Sequence, residues 1–114
     1  MTHKMNLNLE PFEMIGNGQK TIELRLNDEK RRLINVGDMI EFTQTKTGEK
    51  LIAEVIALHR FGSFAELYQE LPLMKCGYTK ADIATAQPED MNLYYTPEQQ
   101  EKYGVLGIEL KPLN

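Results

Sequence analysis

Apolar and polar residues alternate in several short segments of the chain. A period-two pattern covers residues 5–9, 21–26, 40–42 and 106–110, which is typical of strands with one buried face. The segment 50–61, KLIAEVIALHRF, is apolar on both faces, and this favours a central strand. The pattern therefore predicts five or six strands.

Four segments carry the start signals of short helices. In three of them a Ser or Thr is followed three residues later by an acidic or amide residue, the spacing of a capping box. In the fourth a proline stands in the first turn. The predicted starts are Glu10–Pro11, Ser63, Thr79 and Thr96. Strands and helices do not alternate regularly, so the pattern predicts an α+β fold: a small mixed or antiparallel β-barrel with three or four peripheral short helices.

Length and composition are those of one globular domain, predicted to span residues 1–114. The chain has a single cysteine, Cys76, which excludes an internal disulfide and a Cys-rich zinc site. His3 and His59 lie far apart in the sequence, so we expect no metal and no cofactor. No apolar run is long enough for a membrane span and the N-terminus lacks a signal-peptide pattern, so a cytoplasmic location is expected.

The formal net charge is −4. A protein that binds extended duplex DNA without sequence preference usually carries an excess of Lys and Arg, so that class is disfavoured. A single nucleotide, a flipped base or a short strand is the more plausible nucleic-acid ligand. The run Lys30-Arg31-Arg32 is the only basic cluster in the sequence, and it is either a solvated face or a phosphate contact.

The segment 18–25, GQKTIELR, places charges of both signs at the start of a predicted strand. Thr21, Glu23 and Arg25 share one strand face, opposite three aliphatic residues. Lys20 has the wrong parity for that face, but it adjoins a glycine turn where strict alternation need not hold. Two interpretations stay open: a salt bridge on the exterior of the barrel, or one wall of a polar cleft.

The same segment resembles the GxKxxExR signature of the ASCH domain, a family of PUA-like β-barrels. VGDMIEF resembles the turn and strand that follow the signature, and MNLYYTPEQQEKYGVLGIEL resembles the C-terminal segment of bacterial and archaeal members. The resemblance implies a cleft beside the barrel, lined by Lys20, Glu23 and Arg25. Family members have been proposed to bind RNA, and one bacterial subgroup resembles amidohydrolases that act on N4-acetylcytidine.

Binding of a nucleotide or short RNA in this cleft is the first functional hypothesis. Glu23 can accept a hydrogen bond from an exocyclic amine, Arg25 can bind a phosphate or carbonyl, and Lys20 provides a point charge. Thr21 is a further ligand-binding candidate. A tyrosine can stack on a base; the candidates are Tyr94, Tyr95 and Tyr103, and at most one of the first two is expected to face the cleft.

Amide hydrolysis is the alternative. Lys20 would be the general base, Glu23 the proton shuttle and Arg25 the oxyanion contact. In the amidohydrolase-like members a threonine stands where this chain has Glu23, and a further acid comes from the helical region, for which Glu66 and Glu70 are candidates. A protein-interaction module in the regulation of transcription or translation is the third possibility, and the oligomeric state stays open.

Overall fold

Five strands form one sheet in the computed structural model, which describes residues 1–113. The strand order is β1-β3-β4-β5-β2. β1 pairs with β3 in parallel, and the other neighbours are antiparallel. β1 and β2 are therefore the two edges of the sheet. The bounds are β1 Thr2–Leu7, β2 Ile22–Leu26, β3 Met39–Gln44, β4 Lys50–Phe61 and β5 Val105–Pro112.

Four α-helices occupy the connections, and each begins where the start signals predict one, to within a residue or two. Ser63 accepts a hydrogen bond from the Glu66 amide, and capping boxes form at Thr79 and Thr96. Short 3-10 turns cover 31–33, 73–76 and 88–93. The helices are α1 Leu9–Gly16, α2 Phe64–Glu70, α3 Lys80–Ile83 and α4 Pro97–Tyr103.

β4 is the central strand of the sheet, as its apolar pattern predicts. Its first half buries only one face, however, because Ile52 and Ile56 are exposed to solvent. Its register with β5 shifts between Val55 and Ala57. An irregularity of this kind bends a strand and increases the local twist, which favours the curl of the sheet.

The two faces of the sheet pack against different hydrophobic clusters. Within β2, Ile22, Leu24 and Leu26 belong to the cluster that lies beneath α2 and includes Phe64 and Leu67. The inner cluster fills the curl of the sheet. Its members are Met5, Leu7, Ile15, Ile34, Ile40, Phe42, Leu51, Ala53, Val55, Leu106, Ile108 and Leu110.

Glu23 and Arg25 project from β2 on the inner side of the curl. They lie opposite Ile108 and Leu106 of β5, and residues that face each other in an antiparallel pair share a side of the sheet. The Arg25 guanidinium reaches the other edge strand and donates to the Asn6 carbonyl at 2.9 Å. This arginine thus bridges β1 and β2 across the seam of a half-barrel, and the α+β PUA-like fold predicted from the sequence is confirmed.

A second charged group holds the start of β1. Asp38 lies 2.8 Å from His3 Nε2 and 3.4 Å from the amino group of Met1, and it accepts from the Asn35 amide at 3.0 Å. The hydrogen bond with His3, followed by that from Asn35, lowers the pKa of Asp38 to about 2. None of the helices within residues 1–113 is long and apolar enough to cross a membrane.

Candidate functional site

Lys20, Glu23 and Arg25 form one compact ionic group. Lys20 Nζ lies 2.7 Å from Glu23 Oε1, and Arg25 donates to Glu23 Oε2 through one terminal nitrogen at 2.9 Å and through Nε at 3.3 Å. The three side chains are 11%, 6% and 16% exposed, respectively. The salt bridge is therefore not a feature of the barrel exterior.

Glu23 is held as an ionised carboxylate. Burial by itself raises the pKa of this carboxyl, but Lys20 and Arg25 together outweigh burial and lower the pKa below its ordinary value. Burial likewise lowers the pKa of Arg25, and Glu23 more than restores it, with a smaller contribution from Tyr95. The Leu24 amide also donates to Oε1 at 3.2 Å. Because a carboxylate offers about four lone-pair sites, Glu23 has little capacity left for a ligand.

Two glycine turns position Lys20 beside Glu23. Gly18 has φ +84° and ends the connection from α1, and the Lys20 amide then donates to the Met14 carbonyl at 3.0 Å. Lys20 therefore precedes β2, so the alternation of side chains between the two faces of that strand does not apply to it. On the other side Gly77 has φ +104°, and a Cβ built there would lie 3.2 Å from Lys20 Cδ. The turn at Gly77 thus packs directly on the lysine stem.

A cleft of about 670 Å³ opens beside the ionic group. Its walls come from the end of β1, from α1, from the signature and from residues 76–95. The cleft contains two cations, Lys20 and Arg25, and four carboxylates. The carboxylates are Glu10, Glu23, Asp82 and Asp90, so the lining as a whole is acidic.

Three tyrosines line the cleft. Tyr95 is stacked on Phe64, with ring centroids 6.2 Å apart and an interplanar angle of 16°, and burial raises the pKa of its hydroxyl. Tyr94 is 69% exposed, and Tyr78 shares a hydrogen bond with the Tyr68 hydroxyl. Tyr94 and Tyr95 both line the cleft, so the expectation that at most one of them faces it is wrong. Their amides both donate to the Met91 carbonyl, and strand-like alternation does not apply in so tight a turn.

Several residues considered as candidates lie elsewhere. Thr21 and Tyr103 do not line the cleft. Thr21 precedes β2 and its backbone bonds to Lys75 and Leu110, while Tyr103 packs against the cluster beneath α2. Glu66 and Glu70 are also outside the cleft lining. The helical region instead contributes Asp82 and Asp90. The sequence marks Asp82 through its capping-box spacing to Thr79, but that signal indicates a helix start and not a site.

A smaller pocket of about 310 Å³ lies on the other side of the Arg25 bridge. Asn6 and Arg25 line both cavities, so they form a shared wall. The lining of this basic pocket is Lys4, Met5, Asn6, Arg25, Lys30 and Arg31.

The basic run 30–32 divides between two environments. Lys30 and Arg31 line the basic pocket, whereas Arg32 donates to the carbonyls of Asn27 at 2.8 Å and Tyr103 at 3.4 Å. The run is therefore not a uniform solvated face. Among residues 1–113 no group of three or more His, Cys, Asp or Glu side chains is arranged to hold a metal ion.

Comparison with known proteins agrees with this architecture. The curled five-stranded sheet with its peripheral helices has the architecture of a PUA-like half-barrel. The family model of the ASCH domain matches residues 5–114, and the chain belongs to that family.

Solved structures extend the comparison. Hypothetical protein PH0355 is 33% identical, with a TM-score of 0.82 over 99% of this chain and 100% of its own. Protein PF0455 from Pyrococcus furiosus is 34% identical, with a TM-score of 0.73 over 100% and 99%. The ASCH protein of Zymomonas mobilis shares the fold at 17% identity, with a TM-score of 0.58 over 97% of this chain and 73% of its own. No curated protein matches the chain significantly.

Proposed function

We propose that this ASCH domain binds a nucleotide, alone or within a short RNA, and that the base enters the acidic cleft. The observation that carries the proposal is the Lys20–Glu23–Arg25 group, which is pre-assembled at the wall of a cleft large enough for a small ligand. Such a group costs little reorganisation on binding, because its charges are already paired and oriented.

The roles of the three charged residues differ. Glu23 acts as the organiser, since its oxygens already accept from Lys20, Arg25 and a backbone amide. Lys20 has three ammonium donors, and those not used by Glu23 can bind a carbonyl oxygen of a base. Asp82 and Asp90 can accept from an exocyclic amine, as carboxylates do when they read cytosine.

The tyrosines supply the apolar contact. Tyr94 has an exposed ring at the cleft, while Tyr95 is fixed by its stack on Phe64. Stacking of a base on an aromatic side chain is worth about 1–3 kcal/mol. Tyr94 is therefore the proposed stacking partner, with Tyr95 as a rigid wall beside it.

Hydrolysis of an acylated nucleoside is less well supported by this geometry. A proton shuttle needs a carboxyl that can change its protonation state near neutral pH, whereas Glu23 is held ionised by two cations. A hydrolase would need another carboxyl of the cleft as its proton shuttle, and the candidates are Glu10, Asp82 and Asp90. No comparable local feature among residues 1–113 favours a role as a protein-interaction module.

A combined binding and turnover assay tests the proposal. The purified protein is titrated with cytidine, N4-acetylcytidine and the four ribonucleoside monophosphates while products are followed by chromatography. We expect saturable binding of at least one compound without turnover. Lys20→Ala should weaken binding, and Tyr94→Ala should weaken it about tenfold, the loss expected for one stacked base. Lys111→Gln, on an exposed part of β5, is the control for charge.

Two results would overturn the proposal. Deacylation of N4-acetylcytidine that is lost in Lys20→Ala would make the protein a hydrolase. Absence of binding to every compound, in a protein shown to be folded, would exclude small nucleotides as ligands.

A further inference from the structure

We propose that the basic pocket between the two sheet edges binds the phosphate of the nucleotide whose base occupies the acidic cleft. This inference rests on the proposed function and extends it: the preferred ligand is a phosphorylated nucleotide unit and not a nucleoside. The basic pocket makes none of the base contacts proposed above. It adjoins the base-binding cleft directly, because the two cavities share Asn6 and Arg25.

The two cavities differ in charge. The cleft has four carboxylates and two cations, whereas the basic pocket has four cations and no carboxylate among its lining residues. A phosphate monoester carries about 1.5 to 2 negative charges at neutral pH, so the cleft repels it and the pocket attracts it. Arg25 and Arg31 are each paired with a carboxylate, Glu23 and Asp28 respectively, so Lys4 and Lys30 provide the net positive charge of the basic pocket.

Arg31 contributes its guanidinium to the lining of the basic pocket. Its side chain is 20% exposed and one terminal nitrogen donates to Asp28 at 3.1 Å. Its Nε is buried and has no hydrogen-bond acceptor among the described residues. That nitrogen is shielded from solvent, so an anion in the basic pocket contacts the guanidinium through its terminal nitrogens. A phosphate oxygen is the kind of acceptor that these nitrogens bind best.

The contacts of the neighbouring cations indicate which basic side chains are available to a phosphate. Arg32, adjacent in sequence, is used by backbone carbonyls and does not line the pocket. Asp28 pairs with Arg31 but is not part of the pocket lining either. Lys4 and Lys30 are exposed and form no ion pair among the described residues. They therefore remain available to an incoming anion.

The shared wall explains how one ligand can reach both cavities. Asn6 and Arg25 belong to both linings, and the bond between them crosses the seam of the sheet at 2.9 Å. A nucleotide that lies across this bridge has its base on the side of Lys20 and Tyr94 and its phosphate on the side of Lys4 and Lys30. The phosphate can come from a mononucleotide or from the backbone of a short RNA, and the chemistry of the interaction is the same.

The test compares ligands that differ only in phosphate. Calorimetric titrations use cytidine, its 5′-monophosphate, its 3′-monophosphate and a hexaribonucleotide, and the corresponding series for the other three bases. The double variant Lys4→Gln/Lys30→Gln removes two pocket charges. The double variant Lys46→Gln/Lys111→Gln removes the same charge from exposed positions outside both cavities.

We expect the wild-type protein to bind at least one monophosphate or the hexanucleotide at least tenfold more tightly than the matching nucleoside. The pocket variant should lose that preference while its affinity for the nucleoside stays within about twofold, and the control should keep the preference. The dependence of log K on log salt should also become shallower in the pocket variant, by up to about 0.7 for each phosphate of a single strand that the protein no longer neutralises. Tighter binding of the hexanucleotide than of either monophosphate would identify RNA as the source of the phosphate.

The outcomes separate this inference from the proposed function. If nucleosides bind but phosphate adds no affinity, or if the preference survives in the pocket variant, the phosphate assignment is wrong and the base cleft stands. If neither nucleosides nor nucleotides bind, the proposed function fails and the phosphate assignment fails with it.

Discussion

Glu23 and Asp38 are two carboxylates with little exposure, 6% and 13%, each paired with two basic groups and one backbone amide, and only one of them adjoins a cleft. Glu23 contacts Lys20 and Arg25, and Asp38 contacts His3 and the amino group of Met1. Both have a lowered pKa. Glu23 lines the cleft of about 670 Å³, whereas Asp38 lines neither of the two cavities described above. A lowered pKa therefore identifies a well-paired carboxylate, and the open volume beside it is what makes Glu23 a candidate for function.

The largest expected effect comes from breaking the Glu23 group. Glu23→Ala leaves Lys20 and Arg25 close together without their counter-charge, and loss of one partner from a buried ion pair typically lowers stability by about 3 kcal/mol or more. Urea unfolding followed by circular dichroism measures this loss. Nucleotide binding should disappear in the same variant, because Lys20 and Arg25 are no longer held in place.

Glu41→Ala is the control for Glu23→Ala. Glu41 pairs with Lys50 at 3.5 Å, and that lysine is 56% exposed, so the pair should contribute at most about 1 kcal/mol. Equal losses in the two variants would show that burial of the Glu23 group does not distinguish it from an ordinary surface pair.

A smaller effect on stability, but a selective one on binding, is expected at Gly77. Gly77→Ala and Gly48→Ala both place a Cβ at positive φ, which is unfavourable by about 1 kcal/mol. The Cβ at residue 77 also meets Lys20 Cδ at 3.2 Å, whereas nothing lies within 4 Å of the one at residue 48. The two variants should lose similar thermal stability, and only Gly77→Ala should weaken nucleotide binding. Unchanged binding in Gly77→Ala would mean that the position of Lys20 does not depend on this turn.

The smallest effect at neutral pH is expected at Asp38, where Asp38→Asn keeps an acceptor for the Asn35 amide. The difference should emerge in acid. The folded-state pKa of about 2 lies below the ordinary value of 3.8, so Asp38 stabilises the fold above roughly pH 4, and this contribution is lost as the pH falls towards 2. Melting temperatures measured from pH 2 to pH 5 should fall less steeply in Asp38→Asn than in the wild type. Parallel curves would show that Asp38 has the same pKa in the folded and unfolded states.

Local sequence patterns predict the helices and strands well. They also place two members of the ionic group, Glu23 and Arg25, together. Alternation places Glu23 and Arg25 on one face of β2, and the capping residues Ser63, Thr79 and Thr96 mark helix starts that the structure confirms. These features depend on residues that are close in sequence, so a short segment contains the necessary information.

The acidic wall of the cleft could not be predicted in the same way. Asp82, Asp90 and Tyr78 reach the cleft because residues 76–95 fold across the mouth of the curled sheet. That arrangement depends on packing between distant elements, and no local pattern encodes it. The placement of Tyr94 and Tyr95 was missed for a related reason, since the turn that follows 88–93 has neither the period of a strand nor that of a helix.

The strand order has a consequence for how the site comes into being. β2 carries Glu23 and Arg25. Within residues 1–113 its neighbour in the sheet is β5, which follows roughly 80 residues later in the chain. During synthesis the signature segment therefore leaves the ribosome long before the strand on which it docks. Its charged side chains stay solvated until β5 is made, and the proposed ligand site is expected to be among the last parts of the domain to mature. Pairing over so long a separation is slow, so the appearance of nucleotide binding is expected to follow, and not precede, the completion of the sheet.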